Sequence, residues 1–241
     1  MLEAKNITKQ FGSEKVLCDL NLQLREEETL SILGRSGCGK TTLLRILGGL
    51  EHPDRGTVLL DGNEIRDQKP ERREIVYMHQ EAMLFPHLSV FENIAFGLRL
   101  RKEDKKRIAS RTREMIGQLE LEGMDDKMPH QLSGGQKQRV SFGRAIIINP
   151  GVLLLDEPFG NLDADTRSSM QELFKRLART YRITAIFVTH SVKEAILMGD
   201  RVSTLAGGSL TTYDSVGAFV RSGGNRVQEE IEFWRSISTD K

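Results

Sequence analysis

Thr29-Leu30-Ser31-Ile32-Leu33 runs without a break into Gly34-Arg35-Ser36-Gly37-Cys38-Gly39-Lys40-Thr41, and Thr42 to Leu50 follows as a helix closed by Gly48-Gly49. An apolar strand, a glycine-rich turn and a helix in that order set an α/β fold class. The eight residues from Gly34 satisfy G-x-x-x-x-G-K-[ST], and the flanking strand and helix are the context that this phosphate-binding pattern requires. Glycines let the backbone turn so that successive N–H groups converge on phosphate oxygens. The helix behind them adds the positive end of its dipole. Lys40 supplies a mobile positive charge for the outer phosphates. The Thr41 hydroxyl, followed by Thr42, is placed to ligate Mg²⁺.

Outward from that loop, Val152-Leu153-Leu154-Leu155-Asp156-Glu157 reads as a buried strand that delivers two carboxylates at its end. Asp156 is the candidate to hold Mg²⁺, directly or through water. Glu157 is the better candidate to polarise an attacking water. Gln80 and His190 each follow a strand candidate, Ile75 to Met78 and Ile183 to Val188. Gln80 is a neutral amide suited to Mg²⁺ or to the water, and His190 is suited to hydrogen-bond a γ-phosphate oxygen. Phe11 precedes a glycine, where an exposed ring stacks on adenine and a buried one belongs to the core. Leu132-Ser133-Gly134-Gly135-Gln136 opens a helix that continues through Arg139 to Ile148. Serine is a good N-cap and the glycines leave N–H groups open to an anion, although an ordinary capped helix start has the same look.

Ile7, Val16, Leu20, Leu22 and Leu24 fit strands of an antiparallel flap, and Gly56 to Leu60 with Asn63 to Ile65 fits a hairpin across Asp61-Gly62. From Glu81 to Asn149 the pattern turns helical, with Ile108, Thr112, Met115, Ile116 and Leu119 on one apolar stripe and a solvated charged run from Arg101 to Arg107. After Pro150 the α/β character returns. Met170, Leu173, Phe174, Leu177, Ala178 and Tyr181 form a second stripe, Val192 to Met198 a short helix, and Val202 to Leu205 with Ser209 to Thr212 closing strands. Val227 to Ile237 reads as a last short helix. The helical stretch is therefore an insertion into one α/β core.

The 241 residues carry 35 Lys and Arg against 34 Asp and Glu, a balance that gives no reason to expect electrostatic nucleic-acid binding. No apolar run approaches the ~20 residues that cross a bilayer, and the N-terminus has no apolar signal region. Both point to the cytoplasm, where Cys18 and Cys38 stay reduced. No Cys/His cluster has metal-ligand spacing.

Phe11, Gly34 to Thr41, Gln80, Leu132 to Gln136, Asp156-Glu157, Asn161-Leu162-Asp163 and His190, in this order, resemble the ATP-binding cassette (ABC) family from about Leu2 to Tyr213. The resemblance implies a P-loop NTPase core of ABC type with an antiparallel β subdomain over residues 1–80 and 150–215. It implies an inserted α-helical subdomain over 81–149 and a short tail over 216–241. ATP and Mg²⁺ are the implied cofactors. Phe11 and the loop from Gly34 to Thr42 would hold the nucleotide, and Thr41, Gln80 and Asp156 the metal. Glu157 would be the catalytic base and His190 the switch residue. Ser133, Gly134 and Gly135, with Gln136 behind them, would meet the γ-phosphate of ATP bound to the opposite subunit, and Asp163 would couple the two sites.

Phe85 to Val90 and Glu92 to Leu98 are similar to ATPase subunits of bacterial importers for polyamines, sugars, iron(III) and sulfate. The implied partners are a second ATPase subunit, head to tail, transmembrane permease subunits, and indirectly a solute-binding protein. The implied location is peripheral, on the cytoplasmic face of the plasma membrane. Exporter or lipoprotein-release ATPases share the motif chemistry. Soluble cassettes acting on nucleic acid or ribosomes usually carry two cassettes or a coiled-coil insertion, and neither is present here. Three features depart from the family pattern. Phe11 replaces a more usual tyrosine, Tyr77-Met78-His79 replaces a Phe-x-Phe-like run, and the sequence to Lys241 leaves no room for a C-terminal regulatory β domain, which speaks against the sugar-importing branch.

Overall fold

The computed structural model describes residues 1–222. In chain order they form β1 (Leu2–Phe11), β2 (Glu14–Leu24), β3 (Thr29–Leu33), α1 (Lys40–Leu47), β4 (Arg55–Leu60), β5 (Asn63–Glu64), β6 (Ile75–Met78), α2 (Val90–Leu100) and α3 (Lys105–Gln118). Then come α4 (Gly134–Ile146), β7 (Val152–Asp156), α5 (Ala164–Thr180), β8 (Ala185–Thr189), α6 (Val192–Met198), β9 (Arg201–Ala206), β10 (Ser209–Tyr213) and α7 (Val216–Ser222). These elements fall into two compact units, one of residues 1–73 with those from 184 onward, the other of residues 74–183. The helix read over Val227 to Ile237 lies outside the described residues.

In the first unit, β3 is the strand that leads into the phosphate loop. It pairs in parallel with β8 on one side and β9 on the other, and β10 closes against β9 in antiparallel register. Thr29 to Ile32 are all buried, as a strand with parallel neighbours on both edges requires. A second, antiparallel sheet runs β2-β1-β4-β5, which is the flap with its hairpin. At the start of β3, Glu28 pairs with the buried Arg201 at 3.1 Å, and Asp200 accepts the Thr29 N–H at 2.8 Å. Ala195, Val202 and Phe219 form a local core where α6 and α7 cover β9 and β10.

The far end of α1 is held by one buried cation. Arg73 is 2% exposed, and its guanidinium donates to the carbonyls of Ile46 and Leu47 at 3.0 Å, of Gln68 at 2.9 Å and of Arg66. The last carbonyls of a helix have no intrahelical partner and carry its negative dipole end, so a cation there satisfies both demands. Burial pushes the guanidinium pKa down, and the Asp67 charge works against that shift. Gly49 has φ of 75°, and a Cβ at this position would sit 2.4 Å from Arg73 Nε. The Gly-Gly helix stop is therefore also the space that admits the guanidinium.

In the second unit β6 and β7 pair in parallel. The stripe read on α3 is the buried one: Ile108, Thr112, Met115 and Ile116 face inward, with Leu119 just beyond. Glycines set the approach of the helices. A Cβ on Gly143 would lie 2.4 Å from Leu119, and one on Gly97 would lie 2.4 Å from Ile148. Glu120 ties three elements together, accepting from Arg139 of α4 and Arg176 of α5, and these two hold its carboxyl below the usual carboxylate range. This unit is larger than the helical stretch 81–149, because the β6–β7 ladder and the α4–α5 packing bring β6, β7 and α5 into it.

Arg73→Met removes the donor to four carbonyls, two of them, of Ile46 and Leu47, buried at the end of α1. We expect a loss of about 3 kcal/mol in urea unfolding, the scale of removing one partner from a buried charged network. A loss under about 1 kcal/mol would contradict this account of Arg73.

Candidate functional site

The phosphate loop lies between the carboxyl end of β3 and α1, which begins at Lys40, two residues earlier than the sequence pattern suggested. Lys40 and Thr41 are thus the first helical residues, with side chains fixed by helical backbone. Gly37 and Gly39 have φ of 80° and 104°. A Cβ on Gly37 would meet nothing within 4 Å, while one on Gly39 would lie 2.9 Å from Val16 of β2. The first glycine therefore serves the turn alone, and the second also admits the flap. Gly39 is the N-cap and has no side chain to spend on the helix N–H groups, which suits an anion at that end. Lys40 is 4% exposed and its ammonium bends back over the loop, donating to the carbonyls of Gly34 at 2.8 Å and Arg35 at 3.0 Å. Such a glycine cradle with its folded-over lysine fits a nucleoside triphosphate.

His190 belongs to the same edge of the same unit. Leu33 pairs with Thr189, and Gly34 N–H donates to the Thr189 carbonyl at 3.2 Å, so the phosphate loop and the residue after β8 start side by side. In parallel α/β sheets ligands bind outside the carboxyl ends of the strands. Thr189 and Ser191 brace this turn, with Thr189 Oγ1 donating to Glu194 at 2.6 Å and Ser191 capping α6. Phe11 ends β1 and is 48% exposed, which removes the core-residue reading. Lys9 Nζ stands 5.0 Å from the centre of its ring, on a side chain anchored to Glu51 at 2.7 Å. Both cysteines are free thiols, and Cys38 Sγ packs 2.5 Å from where a Cβ on Gly34 would be.

In the second unit the carboxyl ends of β6 and β7 carry Gln80, Asp156 and Glu157. Asp156 is 9% exposed and accepts a hydrogen bond from the Tyr77 hydroxyl at 2.6 Å, a partner that sequence reasoning missed. Glu157 has φ of 44°, a left-handed backbone that a glutamate adopts only under constraint. The constraint is visible: the Glu157 carbonyl accepts Gly160 N–H, the Pro158 carbonyl accepts the buried Gln138 amide at 2.8 Å, and the Phe159 and Leu162 carbonyls accept Arg167. Gln80 donates to Asn161 at 3.2 Å, and a Cβ on Gly160 would lie 2.8 Å from Gln80 Nε2. Threonine hydroxyl, amide and carboxylate oxygens are hard donors, so Gln80 and Asp156 of this unit, and Thr41 of the first unit taken by itself, each carry the class of oxygen that Mg²⁺ takes. No cluster of three His, Cys, Asp or Glu suited to a metal exists among the described residues.

Ser133 caps α4 through a complete capping box. Its hydroxyl accepts Gln136 N–H at 3.3 Å, and the Gln136 side-chain oxygen accepts Ser133 N–H at 3.0 Å. That engagement commits the Gln136 oxygen to the helix. The two glycines differ. A Cβ on Gly135 would lie 2.6 Å from Thr166 of α5, so packing within this chain explains it. A Cβ on Gly134 would meet nothing within 4 Å. Asp163 caps α5 by accepting Thr166 N–H at 3.0 Å, and that bond holds its carboxyl below the usual range.

A cleft of about 340 Å³ adjoins β6, lined by Tyr77, His79, Met83, Phe85, Phe96 and Leu100 among others. Its loop wall is rigid. The buried Asn93 bonds Phe85 in both directions and donates to the carbonyls of Leu88 and Ser89, while Arg144 donates to the Met83 carbonyl and stands over the Phe85 ring. Met83 and Leu100 are 61% and 69% exposed at its rim.

Comparison with known proteins gives this geometry its family. The model described as "ABC transporter" matches residues 17–160. The spermidine/putrescine import ATP-binding protein PotA of Marinobacter nauticus is 47% identical over 208 residues, covering 86% of this chain and 56% of PotA. The Fe(3+) ions import ATP-binding protein FbpC 1 of Pectobacterium atrosepticum is 42% identical, covering 87% of this chain and 59% of its own length. The chain thus spans just over half the length of these curated relatives. Among solved structures, the ATP-binding cassette MJ0796, a dimer bound to ADP and Pi in a post-hydrolysis state, superposes with a TM-score of 0.78 at 33% identity, covering 90% of this chain and 99% of that one. The fold is thus that of an ABC cassette, and the chain belongs to the ABC transporter family.

Proposed function

We propose that the protein is the ATP-hydrolysing, energy-coupling subunit of a bacterial membrane importer. One observation carries the reading. The α4 N-terminus holds Gly134 where a Cβ would meet nothing within 4 Å among the described residues, at a helix end whose dipole favours an anion. A second copy, head to tail, supplies that anion as the γ-phosphate of its own ATP. The dimeric MJ0796 cassette with ADP and Pi supports this reading, and the names of PotA and FbpC support import.

In this scheme the loop from Gly34 to Thr42 wraps the phosphates, Lys40 neutralises the outer ones and Phe11 stacks on the base. Glu157 orients and deprotonates the attacking water, and its strained, braced backbone holds that carboxylate in place. His190 donates to the γ-phosphate, and Gln80 reports occupancy through Asn161. Mg²⁺, held by Thr41, Gln80 and Asp156, would neutralise charge developing on the phosphate oxygens. Ser133, Gly134 and Gly135 bind only when two copies close, so ATP stabilises the closed state selectively. Asp163 lies on the coupling path between the sites.

The cleft beside β6 is the seat proposed for a permease segment, its apolar rim and fixed loop suiting a docked helix. A solute-binding protein enters only through the permease. The ATPase core is assigned to residues 1–80 and 150–215, the helical part to 81–149 and the tail to 216–241. No helix among the described residues is long and apolar enough to cross a membrane, which is consistent with a peripheral subunit on the cytoplasmic face.

Glu157→Gln is expected to keep ATP affinity, lower turnover by about 100-fold or more, and elute as a dimer with Mg²⁺·ATP in gel filtration. A variant that stays monomeric with ATP contradicts closure. In a Cys18→Ser background, a maleimide on Cys38 is expected to abolish nucleotide binding, and ATP to protect the thiol. Full modification with unimpaired binding contradicts the place given to the loop.

A further inference from the structure

We infer that Tyr77 is a positioning residue for the Asp156 carboxylate, an inference that rests on the metal role given to Asp156 above. In the β6–β7 ladder Tyr77 lies opposite Leu154, and Asp156 is two residues further along β7 on the same face. A tyrosine has the length to span that offset. Its hydroxyl donates to Asp156 Oδ2 at 2.6 Å, a short hydroxyl–carboxyl hydrogen bond. The Tyr77 ring is itself fixed, with His79 edge-on at a centroid distance of 4.6 Å.

The bond does two things. It selects one rotamer of the carboxylate, and it fixes the position of one carboxylate oxygen. Groups that orient a metal ligand in this way commonly contribute about 10–100-fold to metal affinity. Tyr77 also lines the apolar cleft, so the side chain that holds Asp156 is part of the wall on which a docked segment would press. Phenylalanine at this position keeps the ring and its packing and removes only the donor.

The test is metal affinity in the full chain. Mn²⁺ binding is followed by electron paramagnetic resonance in the presence of a non-hydrolysable ATP analogue. Binding of the same analogue in EDTA is measured in parallel. Tyr77→Phe is expected to weaken Mn²⁺ by about tenfold and to leave metal-free nucleotide binding unchanged. Asp156→Asn is expected to weaken Mn²⁺ at least as far. Wild-type Mn²⁺ affinity in Tyr77→Phe beside a weakened Asp156→Asn overturns the inference alone. Loss of metal-free nucleotide binding in Tyr77→Phe also overturns it, since that shows a general structural role. Unchanged Mn²⁺ affinity in Asp156→Asn overturns the metal role of Asp156 and this inference with it.

Discussion

The constraint on which the first unit depends is that the turn between β3 and α1 must present backbone N–H groups inward and stay rigid. Gly39 meets it at φ of 104°, with Val16 of the flap 2.9 Å from the place of its missing Cβ. Any side chain there would be strained in its backbone and would push the flap away. The flap that carries Phe11 is thereby set against the loop. The opposite end of α1 is fixed with equal care, because Arg73 takes its terminal carbonyls. One short helix is thus pinned at its positive end by packing and at its negative end by a buried cation.

Helix N-termini recur as the working parts. α1 begins at a glycine and leaves its N–H groups to a ligand. α4 begins at a serine whose capping box engages its own N–H and that of Gln136, and adds a glycine at which a Cβ would meet nothing within 4 Å among the described residues. α5 begins at Asp163, which caps with a carboxylate. The Ser133 and Asp163 caps lie close, through Gly135 against Thr166. The second unit therefore holds its signature turn and its acidic turn as one rigid surface, while Arg167 and Gln138 brace the loop between β7 and α5.

Much of this was legible from sequence, because it is written in local patterns. The strand-loop-helix from Thr29, the stripe from Ile108 to Leu119, the hairpin at Asp61-Gly62 and α6 at Val192 to Met198 each follow from periodicity or turn chemistry within a short window. What was not legible depends on contacts between distant segments. Phe11 read equally as core or surface until the flap's packing exposed it. The Tyr77 bond to Asp156 spans 79 residues and rests on strand register. The roles of Asn93, Arg144 and Arg73 are bonds to carbonyls that no side-chain pattern announces. The one available signal was a hydroxyl-bearing ring in an otherwise apolar β6.

The central claim is that one copy's phosphate loop works with the other copy's α4. Mixing a Lys40→Ala chain with a Gly134→Asp chain tests it directly. Each alone is expected to be inactive. A head-to-tail dimer of the two has one site with both defects and one with neither. The account predicts that mixing restores ATP hydrolysis to about a quarter of the wild-type rate, since half the dimers are mixed and each holds one intact site of two. No recovery on mixing, with both chains folded and associating, would contradict it.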